Sequence, residues 1–135
     1  LPFQTFAATW MDAVKLKEKL DSYELPGVEF RTVWYKPLSG SLKGQLVQGV
    51  QYFFTEYEKA RITELQFYVI QAVAELYPDK RAFEIINGYG LFDKVCGTDF
   101  IRKTLSETYK VDSIKDYWRK DEEAFRTISQ RYYLY

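Results

Sequence analysis

The groups in this chain that could move a proton in a reaction are its carboxylates. Histidine is absent from all 135 residues. That excludes imidazole acid–base work, Ser-His-Asp triads and His-ligated metals within the chain. Cys96 is the single cysteine, so no intrachain disulfide or thiolate metal cluster is available, and it reads as a small buried hydrophobe. No metal or cofactor is therefore expected. A reaction that runs on two carboxylates alone is glycoside hydrolysis, which needs them about 5–10 Å apart. Glu56 and Glu58 follow a β-forming stretch, Glu64 opens an apolar helical pattern, and Asp93 and Asp99 flank Cys96. Spacing selects no pair among them, and each also fits a capping, first-turn or surface charge.

Two other features could bind rather than react. Gly97-Thr98-Asp99 has the form of a helix start, whose free amides attract anions, but the charge of Asp99 opposes that and favours ordinary capping. Gly88-Tyr89-Gly90 lacks the strand and spacing of a phosphate-cradling loop and reads as a turn. Aromatic residues make up 19% of the chain, as 12 Tyr, 10 Phe and 3 Trp, more than one core of this size can hide. Flat rings suit the apolar faces of sugars, and Trp10, Trp34, Tyr35, Tyr52 and Phe53 lie where loops or strand faces could present them.

The elements that would position these groups follow from periodicity. Residues 9–22 predict a helix with Thr9 as N-cap. Leu25-Pro26-Gly27 is turn chemistry. Val28 to Lys36 and Leu46 to Thr55 predict two strands, most simply an antiparallel pair around the loop Pro37 to Gly44. Gly49 inside the second strand marks a bulge or a close backbone contact. Ile62 to Tyr77 carries apolar residues at i, i+3, i+4, i+7, i+8 and i+11 with a second stripe beside them, a central helix covered on two sides. A short helix is expected from Pro78-Asp79 through Ile86, with a break at Asn87-Gly88-Tyr89-Gly90. Thr98 caps a helix to about Thr108, and Asp112 or Ser113 caps a last helix to about Gln130, with Ile114, Tyr117, Trp118, Phe125 and Ile128 on its apolar side. The ending Tyr132-Tyr133-Leu134-Tyr135 predicts an extended, docked tail. The class is α+β: a small, largely antiparallel sheet packed with four to five helices.

The length is that of a single domain. Lys+Arg and Asp+Glu are both 19, and that balance argues against nucleic acid as a partner. No apolar run approaches the roughly 18–20 residues of a membrane span. The start at Leu1-Pro2-Phe3 lacks a basic n-region and reads as the interior of a longer protein. Chemistry alone thus yields an α+β module with no self-contained active site.

Several stretches in register resemble a known family. They are Leu1-Pro2-Phe3 through Ala8-Thr9-Trp10, Leu25-Pro26-Gly27-Val28-Glu29-Phe30-Arg31, Gly44 through Gly49-Val50-Gln51 to Thr55-Glu56, Leu76-Tyr77-Pro78, Gly97-Thr98-Asp99 with Ile101-Arg102, Trp118-Arg119 with Phe125-Arg126, and the closing Tyr132 to Tyr135. Together, over nearly the whole chain, these resemble the C-terminal domain of bacterial exo-β-N-acetylmuramidases of the NamZ type, formerly a domain of unknown function.

The resemblance implies a two-domain enzyme whose Rossmann-like N-terminal domain, absent here, carries the catalytic carboxylates. This chain would be the auxiliary domain: inactive alone, with no catalytic residue of its own, walling one side of the interdomain substrate cleft. Its partners would be that catalytic domain and peptidoglycan fragments, and the parent an exported, periplasmic or extracellular glycosidase of peptidoglycan recycling. Carried over residue by residue, Phe3, Gln4 and Trp10 are interdomain or cleft candidates, and Gln51 lies in the matching Gly-Val-Gln element. Phe53 and Glu56 stand where the family often has His and Asp, a departure that bears on the polar substrate contact at that strand. An apolar patch is expected around Phe3, Phe6 and Trp10. The alternative is a non-catalytic glycan-binding or protein-interaction module whose aromatic residues do the binding.

Overall fold

The computed structural model describes residues 3–85 and 90–134. The chain divides into two compact units, residues 1–82 and 83–135.

In the first unit, three strands form one antiparallel sheet: β1 (Thr5–Ala8), β2 (Val28–Tyr35) and β3 (Val47–Phe54), in the order β1-β3-β2. The expected β2–β3 pair forms in full, from Val28 opposite Phe54 to Tyr35 opposite Val47. Gly27, at φ +68°, makes the turn before β2, and its carbonyl accepts the Thr55 N–H at 2.9 Å, closing that end of the pair. Strand β1 was not expected; it lies just before the helix predicted from residue 9. It pairs with β3 from Thr5 opposite Gln51 to Ala8 opposite Gln48, and Gly49 is the close backbone contact its position suggested. The helix, α1 (Ala13–Asp21), therefore starts later than residue 9, and its N-cap is Asp12 rather than Thr9. The Asp12 carboxylate accepts the N–H groups of Val14 and Lys15 at 3.0 and 3.1 Å, satisfying two of the amides a helix start leaves unpaired.

Helices α1 and α2 (Leu65–Leu76) cover one face of the sheet. Leu16 and Leu20 from α1 and Leu65, Val69, Ala72 and Val73 from α2 are buried with Phe30 and Val50 of the sheet, flanked by Phe6, Ala8, Val28, Tyr52 and Phe54. Phe67 and Ala74, on the second stripe of α2, are also buried, as a helix apolar on two sides requires. The two helices are tied by Glu75, whose carboxylate meets Lys19 Nζ at 2.5 Å, the Tyr23 hydroxyl at 3.3 Å and the Gln71 amide at 3.1 Å.

The second unit is helical: α4 (Gly90–Cys96), α5 (Phe100–Thr108), α6 (Asp112–Arg119) and α7 (Glu122–Ser129) follow the short α3 (Ala82–Ile85). Ile101, Leu105, Tyr109, Val111 and Ile114 are buried, Phe83 stacks on Tyr109 at 5.9 Å, and Phe100 stacks on Tyr117 at 4.2 Å. Of the expected break at 87–90, residues 87–89 lie outside the described residues and Gly90 opens α4, a helix the sequence did not suggest. The long last helix is two helices parted at Lys120-Asp121. Lys120 folds over the Tyr117 ring at 4.2 Å there. The expected apolar side divides with it: Ile114 is buried, whereas Phe125 and Ile128 are 70% and 53% exposed. The tail is not docked among the described residues, since Tyr132, Tyr133 and Leu134 are all exposed.

Candidate functional site

With the helices of the first unit on one face of the sheet, alternation turns a different set of side chains to the other face. Across the three strands this second face carries rows Thr5–Gln51–Arg31, Ala7–Gly49–Val33 and, on two strands, Phe53–Glu29 and Val47–Tyr35. It is mixed in character. Arg31 and Glu29 are exposed, Gln51, Phe53, Thr5 and Tyr35 are half-buried, and Val47 at its far end is buried. The Arg31 guanidinium sits over the Phe53 ring, 4.7 Å from its centroid, and the Tyr35 hydroxyl of one edge strand reaches Thr5 Oγ1 of the other at 3.3 Å. A cation on an aromatic ring, an amide and a carboxylate in adjacent rows form a surface that can stack on a sugar and bond its polar groups.

The sequence candidates distribute unevenly around this face. Gln51 and Phe53 lie on it, in neighbouring rows of β3. Phe3 and Gln4 lead into β1 at the same end: the Tyr52 N–H donates to the Gln4 carbonyl at 3.0 Å and the Tyr52 hydroxyl to the Phe3 carbonyl. The Phe3 side chain is 94% exposed at φ 62°. Phe6, by contrast, points to the helical face and stacks on Tyr52 at 5.6 Å. Trp10 lies past the opposite end of β1, edge-on to Tyr77 at 5.3 Å, in a contact anchored by the Asp12 N–H donating to the Tyr77 hydroxyl at 2.8 Å. The structure thus does not bring Trp10 together with Gln51 and Phe53. Trp34 and Tyr52, the other aromatic candidates, are on the helical face; Trp34 donates its indole N–H to Gln48 at 3.1 Å.

Three of the candidate carboxylates, Glu56, Asp93 and Asp99, pair with cations. Glu56 follows β3 in a turn held by the Gly27 carbonyl and pairs with Lys59 at 2.6 Å. An open depression of ≈ 370 Å3 is lined by Glu56, Tyr57, Glu58 and Lys59, all exposed, so these acids sit in water with a cation alongside. Glu64 is buried at the start of α2. Asp93 grips Arg102 through two oxygens, at 2.9 Å to Nε and 2.9 Å to Nη2. Asp99 pairs with Lys103 at 2.5 Å, and the Lys103 ammonium holds its carboxyl below the usual range. The N-cap of α5 is Asp99, one residue later than expected, and its side chain makes no capping bond; the Thr98 hydroxyl, just outside the helix, accepts the Phe100 N–H at 3.1 Å. Burial and the Asp93 charge push the Cys96 thiol up, so it is a poor thiolate. Among the described residues no group of three or more acidic or cysteine side chains could hold a metal, and no helix is long and apolar enough to cross a membrane.

Arg31 is the site residue that sequence reasoning passed over. The alternation of β2 already placed it with Glu29, Val33 and Tyr35 on one side, but only the register with β3 sets it beside Gln51 and over Phe53.

The comparisons with known proteins agree on lineage. The model of the C-terminal domain of exo-beta-N-acetylmuramidase NamZ matches residues 1–135. The chain is 31% identical over 134 residues to the peptidoglycan beta-N-acetylmuramidase NamZ of Bacillus subtilis (strain 168), covering 99% of this chain and 32% of that protein. The crystal structure of a DUF1343 family protein from Bacteroides fragilis NCTC 9343 superposes with a TM-score of 0.95 at 43% identity, over 99% of this chain and 35% of that one. The chain thus spans about a third of the length of these relatives. By the match of its whole length, it belongs to the family of NamZ C-terminal domains.

Proposed function

We propose that this chain is the auxiliary C-terminal domain of an exported peptidoglycan exo-β-N-acetylmuramidase-like glycosidase, and that the open face of its sheet forms one wall of the substrate cleft. The observation that carries this reading is the composition of that face: Arg31, Gln51, Phe53 and Glu29 in adjacent rows, beside the segment Phe3-Gln4 by which the chain enters the sheet. The other wall and the catalytic carboxylates belong to a preceding Rossmann-like domain. Membership in the NamZ family supports the substrate class. The paired or exposed state of Glu56, Asp93 and Asp99 supports a non-catalytic role for this part.

The test is release of N-acetylmuramic acid from a muramic-acid-terminated disaccharide. It compares the full-length protein, this chain alone, and full-length protein with Gln51→Ala and Phe53→Ala. Release by the full-length protein only, with efficiency reduced by the two substitutions, is the expected result. Release by the chain alone overturns the reading, as does full-length activity indifferent to both changes. Binding of muropeptide sugar by the isolated chain at full strength would instead mark a free-standing glycan-binding module.

A further inference from the structure

The open face holds one strong cation, and it is unspent. Among the described residues Arg31 forms no ion pair; its guanidinium rests on the Phe53 ring, 4.7 Å from the centroid. Arg102, by contrast, is held in a two-oxygen grip by Asp93. Stacking on an aromatic face fixes the guanidinium plane while leaving its N–H edge open, and that edge matches a carboxylate through two parallel hydrogen bonds. Gln51, in the same cross-strand row as Arg31, adds an amide that can donate or accept. Glu29, opposite Phe53, can accept from hydroxyls. Its charge offsets part of the attraction of Arg31 for anions, which weighs more against a dianion such as a phosphate than against a single carboxylate carried on a polyhydroxylated ring.

We propose that Arg31 is the specificity residue of this wall and reads the carboxylate of an acidic sugar, the ring of that sugar lying against Phe53. This rests on the cleft-wall reading above and adds to it the group by which an acidic terminal sugar is told from a neutral one. In N-acetylmuramic acid the carboxylate is that of the lactyl ether.

The experiment uses full-length protein, as wild type, Arg31→Met and Arg31→Lys. Met keeps an apolar stem over Phe53 and removes the charge. Each protein is assayed on the muramic-acid-terminated disaccharide and on its lactyl methyl ester, and calorimetric titrations follow binding of N-acetylmuramic acid and of its methyl ester. The acid-to-ester ratio of kcat/KM is expected to fall about ten- to a hundredfold in Arg31→Met, the range of a charge-assisted hydrogen bond, with Arg31→Lys between. An unchanged ratio in an active Arg31→Met protein overturns the assignment and leaves the cleft wall standing. If wild type hydrolyses neither compound, the muramidase reading fails, and the titrations alone decide Arg31. A preference for the acid that Arg31→Met abolishes sustains it, and equal binding of acid and ester by wild type overturns it.

Discussion

Gly49 and Phe6 stand so close across the β1–β3 pair that a Cβ on Gly49 would meet the Phe6 carbonyl oxygen at 2.0 Å and the Ala7 Cα at 2.8 Å. Both obstacles are backbone, so no side-chain rotation relieves them; any other residue must push β1 off the sheet. Gly49→Ala is therefore expected to destabilise the chain by about 1–3 kcal/mol, the cost of overpacking a rigid site. Urea denaturation measures the loss, and hydrogen exchange locates it, with the amides of β1 accelerating more than those of α2. Because β1 also carries the Phe3-Gln4 segment to the open face, the same substitution is expected to lower full-length activity.

That contact marks the limit of what the sequence discloses. The glycine in a β-forming run was a legible sign of close backbone approach, but its partner was not, because Thr5–Ala8 is too short and too plain in pattern to announce a strand. Hidden with it was the true N-cap: Thr9 and Asp12 are both good capping residues, and only the strand occupying 5–8 decides for Asp12. The α2 helix was legible because the apolar residues from Leu65 to Leu76 keep one helical period over its 12 residues. The α6–α7 break was only half legible: Ile114, Tyr117, Trp118, Phe125 and Ile128 keep one helical phase, and the sole sign of the break is that Asp121 and Glu122 fall where that face calls for apolar residues. The site divides the same way. Gln51 and Phe53 were within reach through their motif, whereas Arg31 became visible only through strand register, which no local pattern encodes.

Glu75 joins α1 to α2 by accepting from Lys19, Tyr23 and Gln71, and the Tyr23 phenol is pushed above its ordinary range by burial and then by the Glu75 charge. A raised pKa means that the folded chain holds this proton more tightly than the unfolded one. The contribution is fully present below the ordinary tyrosine value near pH 10 and declines as pH rises past it. Tyr23→Phe is expected to make the alkaline loss of stability shallower than in wild type, read as the difference between the two proteins' urea midpoints from pH 8 to about 11. Glu75→Gln is expected to cost about 1–2 kcal/mol at neutral pH, by removing the charged acceptor. Equal alkaline slopes for wild type and Tyr23→Phe would reject this account.

In the second unit, the Asp93–Arg102 pair links α4 to α5, with both side chains about four-fifths shielded, at 21% and 20% exposure. Removing one partner takes charge-assisted hydrogen bonds from the other in a poorly hydrated place. Asp93→Asn is expected to cost about 1.5–3 kcal/mol, and Arg102→Lys to lose most of that amount as well, because an ammonium cannot reproduce the two-oxygen geometry. Asp93 also contributes to the raised Cys96 thiol. Its neutralisation is expected to speed alkylation of Cys96 at pH 8 under conditions where the protein stays folded. Stability loss without any change in alkylation would separate the two roles and disprove the electrostatic one.

The outward side of α7 makes the opposite prediction. Phe125 and Ile128 sit one turn apart at 70% and 53% exposure, followed by exposed Tyr132, and α7 contributes no buried residue. A side chain that keeps more than half of its surface in water adds little hydrophobic stabilisation, so truncating it costs little. Phe125→Ser and Ile128→Ser, singly or together, are expected to shift the unfolding free energy by less than about 0.5 kcal/mol per site. They are also expected to reduce self-association of this chain at high concentration, since large exposed apolar groups on α7 are an aggregation surface. Light scattering and urea midpoints on the same samples decide the matter. A large stability loss would mean that this stripe is packed in solution, and unchanged scattering would mean that it is not the sticky face.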